Sequence, residues 1–190
     1  MTPPPERNDL APAARLFGRL LVREIDAATL AELRQPEIAA VLAAVGVEVP
    51  ADAELPSLAN EWLERFLHPR GASPPVHSLF RDGHYNGDAA VAIGEIARAA
   101  GLELAVGARN APPDHIGCIL LLWAELAEAR PELAALLAEH HLTWSERPLL
   151  STAARGGFYG AVAHATVALV RELTGSDPHE PPHASLSEEP

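Results

Sequence analysis

The chain has 190 residues, 48% hydrophobic but only 5% aromatic, which is enough for one domain with a substantial core. Its formal net charge of -12 excludes the basic face of a general nucleic-acid binder and opposes docking on anionic lipid. That charge suits a cationic partner, or spread over a surface it simply keeps the protein soluble.

Residues 1–9 are proline-rich and polar and read as a flexible arm. No apolar core of a signal peptide follows them. From Leu10 the pattern is helical: Pro12 suits a first turn, and Leu16, Leu20 and Leu21 repeat at helical spacing. Asp26 is placed to cap "AATLAELRQ". Pro36 opens "PEIAAVLAAVG", with Ile38, Val41, Leu42 and Val45 on one face and Gly46 as the stop. "LPSLANEWLERFLHP" then carries Leu55, Leu58, Trp62, Phe66 and Leu67 on one stripe, with Pro69 ending it.

Residues 69–87, "PRGASPPVHSLFRDGHYNG", form the longest stretch without clear periodicity, and long ordered loops are often functional. Asp88 is read as the cap of "AAVAIGEIARAAG", which Gly101 stops. Pro113 and Asp114 are read as the start of a central helix, "IGCILLLWAELAEA", apolar on most sides and so destined for the middle of a bundle. Its longest apolar run, Ile116 to Ala124, is far shorter than the ~20 residues of a membrane span. The single cysteine, Cys118, lies in that run and reads as a buried, inert thiol. It permits neither an intrachain disulfide nor a thiolate cluster for zinc.

Pro131 begins "PELAALLAEHHL", and Pro148 is expected to interrupt a short helix in "TWSERPLLSTAA". Gly156 and Gly157 precede a last helix with Phe158, Val162, Thr166, Leu169 and Leu173 on one face, and Gly175 closes it. Residues 176–190 are polar, proline-rich and expected to be disordered. No strand pattern appears. The expected fold is an all-α, single-domain, multi-helix bundle over residues 10–175.

Asp114 and His115 admit four readings: a helix cap, a wall of a binding groove, an acid-base pair, or a metal site. The metal reading lacks partners. His140 and His141 are adjacent and face different ways on a helix, and His179 and His183 lie in a proline-broken tail. "ARGGFYG" is no phosphate cradle, since it lacks the P-loop pattern and a preceding strand. Trp62, Phe66, Trp123, Trp144, Phe158 and Tyr159 fall on helical faces and read as core, with the Trp144 indole N–H needing a partner. No residue set identifies a metal, a cofactor or a catalytic centre.

Three blocks in order resemble one family: "EWLERFLHP", "PPVHSLFRDGHYNG" and "PPDHIGCILLLWAELAE". They are similar to the TorD/DmsD family, cytoplasmic chaperones of exported molybdoenzymes related to the NarJ-type nitrate reductase assembly proteins. "LLAEHHLTW" and "GGFYGAVAHATVALV" extend the resemblance, which runs from about Leu10 to Leu173. Val76 departs from the pattern, standing where many members carry an aromatic residue.

The resemblance implies a non-catalytic cytoplasmic chaperone, monomer or homodimer. It would bind the twin-arginine leader and the apo form of a redox enzyme, in particular a molybdoenzyme. The residues themselves suggest where: a groove between the start of the central helix and the loop Pro74–Gly87. In that groove Asp114 faces a leader guanidinium, and His115 orients it or contacts the peptide backbone. Val76, Leu79 and Phe80 supply apolar contact, or Leu79 and Phe80 pack under the loop and hold it; Ser78 bonds peptide or loop backbone, and Gly83 and Gly87 permit turns. Two other functions stay open: an acidic helical adaptor for a folded partner, and a small helical enzyme using Asp114 and His115, for which a deep polar pocket converging on both side chains is expected.

Overall fold

The computed structural model describes residues 7–67, 74–102 and 111–176. Among the described residues there are ten α-helices, short 3-10 turns, one π-helical stretch and no strand. The all-α expectation holds. Of the expected arm (residues 1–9) and tail (residues 176–190), residues 1–6 and 177–190 lie outside the described residues, as do Pro69 and the start of the long loop.

A 3-10 turn, Arg7–Leu10, leads into α1 (Ala11–Val22), where Pro12 occupies the first turn and gives up no helical hydrogen bond. Asp26 caps α2 (Ala27–Leu33) as its position predicts, accepting the Thr29 N–H at 2.7 Å. α3 (Pro36–Ala44) follows, and Gly46 closes it at φ 77°. The expected α3 face is not a buried stripe. Leu42 is buried, but Val41 is 55% and Val45 44% exposed. α4 (Leu55–Trp62) continues as a π-helical stretch over Leu63–Leu67. It buries Leu58 and Phe66, and the Trp62 indole donates to the Leu21 carbonyl at 3.3 Å.

The aperiodic stretch contains a helix of its own, α5 (His77–Asp82), closed by Gly83 at φ 75°. Six residues are too few for periodicity to register. α6 (Asp88–Ala99) begins with Asp88 inside it; Gly87 holds the cap position and no side chain caps it. α7 (Ile116–Ala129) starts two residues later than the Pro113-Asp114 reading, with His115 as its cap. α8 (Pro131–His141) and α9 (Glu146–Ala153) follow a turn apart. Pro148 sits in the first turn of α9, where proline is tolerated, so it does not interrupt the helix. α10 (Gly157–Thr174) buries Phe158, Val162, Thr166, Leu169 and Leu173, the whole expected face.

α1 and α7 form the central pair of the bundle. They touch through glycine: a Cβ on Gly18 would lie 2.9 Å from the Gly117 carbonyl, and one on Gly117 would lie 2.7 Å from the Gly18 carbonyl. This backbone contact lets α7 bury residues on most of its circumference, from Ile116 through Trp123 to Ala127. Tyr159 of α10 closes the other side, packing edge-on to Phe66 at 5.7 Å and accepting the Ile25 N–H at 3.1 Å. Arg65 binds the Thr152 and Gly156 carbonyls at 3.0 Å each, satisfying groups freed at the end of α9. No helix among the described residues is long and apolar enough to cross a membrane.

Candidate functional site

The start of α7 and the start of α5 are stapled together. The Ile116 N–H donates to the Pro75 carbonyl at 2.9 Å and the His77 N–H to the Asp114 carbonyl at 3.0 Å, so Val76 and His115 form an isolated antiparallel bridge. The chain is extended at both Val76 and His115, as a residue before a helix usually is.

The two capping roles are divided in a way that local sequence does not show. His115, not Asp114, caps α7: its Nδ1 accepts the Gly117 N–H at 3.1 Å. Full burial lowers the His115 pKa to about 4, against the opposing charge of Asp114, so the imidazole is neutral and has a lone pair to accept with. Asp114 reaches across to α5. Its Oδ2 accepts the Ser78 N–H at 2.7 Å and also a short bond from the Ser78 hydroxyl. This satisfies a first-turn amide of α5 with a carboxylate from another part of the chain. Asp114 and Ser78 are both fully buried, and the other carboxylate oxygen, Oδ1, has no hydrogen-bond partner.

Beside this junction lies an aromatic cluster that sequence reasoning did not assemble. His77 stacks on Trp144 with centroids 4.9 Å apart and planes 7° from parallel. His141 meets His77 edge-on at 5.6 Å, and Phe80 tilts against Trp144 at 5.7 Å. The Trp144 indole donates to the His141 carbonyl at 2.8 Å, the partner its burial requires. Burial, and then the neighbouring His141, lower the His77 pKa to about 4. His141 is shifted down by burial and by His140. Both rings are neutral near pH 7, and each has an Nδ1 without a partner. The only sequence signal was "EHHLTW", which pairs a histidine with a tryptophan at helical spacing; its approach to His77 is a tertiary fact.

The expected site residues converge, but most lie beneath the surface. Val76, Ser78, Gly87, Asp114 and His115 are buried; Leu79 is half-buried and Phe80 is 45% exposed. Tyr85, in the turn after α5, is 50% exposed. Gly87 is needed for space rather than for its backbone angles: φ is an ordinary -77°, but a Cβ would come 2.5 Å from Asp82 Oδ2 and 3.1 Å from Ser78 Cβ. The turn's positive φ is taken by Gly83 and by Asn86 at 59°.

Asp114 and His115 do not act on a common atom. One side chain bonds Ser78 and the other a helix amide, so the polar pocket expected of an acid-base pair is not built around them. Cys118 has its pKa raised to about 11 by burial and is a poor nucleophile. Among the described residues no group of three or more His, Cys, Asp or Glu side chains is placed to hold a metal ion.

Residues 26–148 match the family model described as nitrate reductase delta subunit. The chain is 33% identical over 158 residues to the Tat proofreading chaperone DmsD of Salmonella paratyphi A, covering 75% of this chain and 76% of that protein. The DmsD of Salmonella typhi is 32% identical over the same length and shares. A probable Tat proofreading chaperone DmsD of Haemophilus influenzae is 42% identical over 67 residues, 34% of this chain and 33% of that protein. With an all-helical bundle, an Asp-His pair at the head of its central helix and these relatives, the chain belongs to the TorD/DmsD family of redox-enzyme maturation chaperones, related to the nitrate reductase delta and NarJ assembly proteins.

Proposed function

We propose that the protein is a cytoplasmic chaperone that binds the twin-arginine leader of a molybdenum-cofactor redox enzyme and holds the apo-enzyme until it matures. The observation that carries this reading is the α5 face: Phe80, 45% exposed, stands on a helix pinned from below by a fully buried carboxylate. Leu79, Phe80 and Tyr85, beside half-buried Trp144, offer an apolar surface for the segment that follows the arginines of a leader. The names of the Salmonella relatives, Tat proofreading chaperones, support the same class of client.

In this reading the buried residues work through the helix they hold. Val76, Ser78, Gly87 and His115 fix the position of α5. Asp114 meets a guanidinium where α5 lifts, through Oδ1, the oxygen without a partner in the closed arrangement. The charge of -12 speeds encounter with a basic leader and makes binding weaken with salt. The protein acts as a monomer or homodimer.

Titration of a labelled twin-arginine leader at low salt tests this. Phe80→Ala is expected to weaken binding by ~10-fold or more, as for an aromatic contact at an interface. Asp114→Asn weakens it as well. Absence of binding by the parent protein at low salt overturns the function, and unchanged affinity in Asp114→Asn removes Asp114 from it.

A further inference from the structure

Two histidines beside the α5 junction have no part in the proposed leader contact. Three segments meet around them: His77 comes from the start of α5, His141 from the end of α8, and Trp144 from the turn before α9. His77 lies flat on Trp144 at 4.9 Å, and His141 stands edge-on to His77 at 5.6 Å. Both imidazoles are buried, and the Nδ1 of each has no hydrogen-bond partner. Rings held for packing alone have no need of such nitrogens, and buried polar atoms without partners are uncommon. Two rings that can take up a proton, set where neither has a group to receive its N–H, tie the junction to pH.

The charges around the pair come from three places. Asp114, ahead of α7, favours a charge on both rings, and Asp82 of α5 favours one on His77. Arg81 of α5 opposes a charge on either ring, His141 opposes one on His77, and His140 of α8 opposes one on His141. Arg81 is itself paired with Asp82 at 3.2 Å and Asp88 at 3.7 Å. Burial is the largest influence on both rings and outweighs the carboxylates. His115, also neutral, is spent on the Gly117 amide at the head of α7.

The piece able to move is α5. It has six residues and is held by the Ser78–Asp114 bonds and two backbone bonds, whereas His141 belongs to the eleven-residue α8. Lifting α5 parts the two rings and lets water reach them. We propose that the His77–His141 pair is a proton-operated latch: α5 lies closed on Trp144 while both rings are neutral, and proton uptake by the pair releases α5, with its Phe80 face, from a bundle that stays folded. The inference concerns the hold on α5 and stands whether or not α5 meets a leader.

Protons bind the open state more strongly. With α5 lifted the rings titrate near ~6.5, whereas closed His77 is held at about 4. The latch is therefore shut above ~6.5 and loosens as pH falls toward 4. Between pH ~7.5 and ~5.5 a ring held this low accounts for ~10-fold in the opening equilibrium, and His141 adds to it.

Hydrogen exchange of the full chain, read by NMR as protection factors at pH ~7.5 and ~5.5, tests this without any peptide. The Ser78 amide is expected to lose ~10-fold or more of its protection at the lower pH and to stay less protected than Thr166 of α10 at both. His77→Phe/His141→Phe, which keeps two rings in place, is expected to hold Ser78 equally at both values. Unchanged Ser78 protection in the parent overturns the latch. An equal loss in the double variant overturns it too, since the proton then acts elsewhere, and equal protection at Ser78 and Thr166 does so by making the opening global. If the double variant does not fold, ring titration of the parent decides: both imidazoles are expected to titrate below the free value of ~6.5, and either one titrating at that value overturns the proposal.

Discussion

Replacing Asp114 with alanine removes two hydrogen bonds to a carboxylate, from the Ser78 N–H at 2.7 Å and from the Ser78 hydroxyl. Each bond to a charged group contributes roughly 1.5–3 kcal/mol. Against this, the variant no longer buries a carboxylate with an unpartnered oxygen, a relief of roughly 1–3 kcal/mol. A net loss of about 2–3 kcal/mol remains. The backbone bonds at 2.9 and 3.0 Å that link Pro75 to Ile116 and His77 to Asp114 survive the substitution. The loss therefore falls on α5 rather than on the bundle. Hydrogen exchange read by NMR is expected to show the Ser78 amide exchanging about 100-fold faster, at ~1.4 kcal/mol per decade, while α10 amides such as that of Thr166 keep their protection. Unchanged protection at Ser78 refutes the claim that this carboxylate holds α5; equal acceleration in α10 refutes the assignment of the loss to a local opening.

Stability is expected to fall on mild acidification. Burial holds His77 and His115 at about 4 and lowers His141 too. The unfolded chain takes up these protons below ~6.5 and the folded chain does not. Their contribution is thus complete above ~6.5 and is lost as pH falls toward 4. The urea midpoint at pH ~5 should lie below that at pH ~7.5, and His77→Phe, which keeps a ring on Trp144, should flatten the difference; a level profile contradicts this. Gly117→Ala places a Cβ 2.7 Å from the Gly18 carbonyl. Overpacking of about 1–3 kcal/mol exceeds the ~1 kcal/mol gained in helix preference, so Tm should drop by a few degrees, and a rise in Tm would count against the close α1–α7 contact. Tyr159→Phe leaves the buried Ile25 N–H without its acceptor and should cost about 1–3 kcal/mol in chemical denaturation; an unaltered midpoint would show that this amide finds another partner.

The long helices were legible because their signals are local. Pro12, Pro36 and Pro131 mark starts, Gly46, Gly101 and Gly175 mark stops, and the α10 stripe repeats at helical spacing over eighteen residues. α5 was not legible, because six residues give no period and its first-turn cap comes from Asp114. Asp114 and His115 both have side chains able to cap, and only the cross-chain bridge decides which serves which helix. The α3 stripe misled because an apolar spacing says that a face exists, not that a partner covers it; Val41 and Val45 remain in solvent. The expected site residues lie near one another in the fold, but their depth was invisible in the sequence. Whether a side chain lines a surface or supports it from beneath depends on packing between segments distant in sequence.

The staple between Pro75–Ser78 and Asp114–Ile116 also sets how stability is spread over the molecule. Its bonds join segments more than thirty positions apart and place α5 against a helix start that must already exist. Helices α1 and α7 hold each other through their glycines without this staple, whereas α5, six residues long, has little reason to persist alone. An element held by a few such bonds opens at lower cost than the closely packed α1–α7 pair. The α5 face is thus expected to loosen while the core beneath it stays closed.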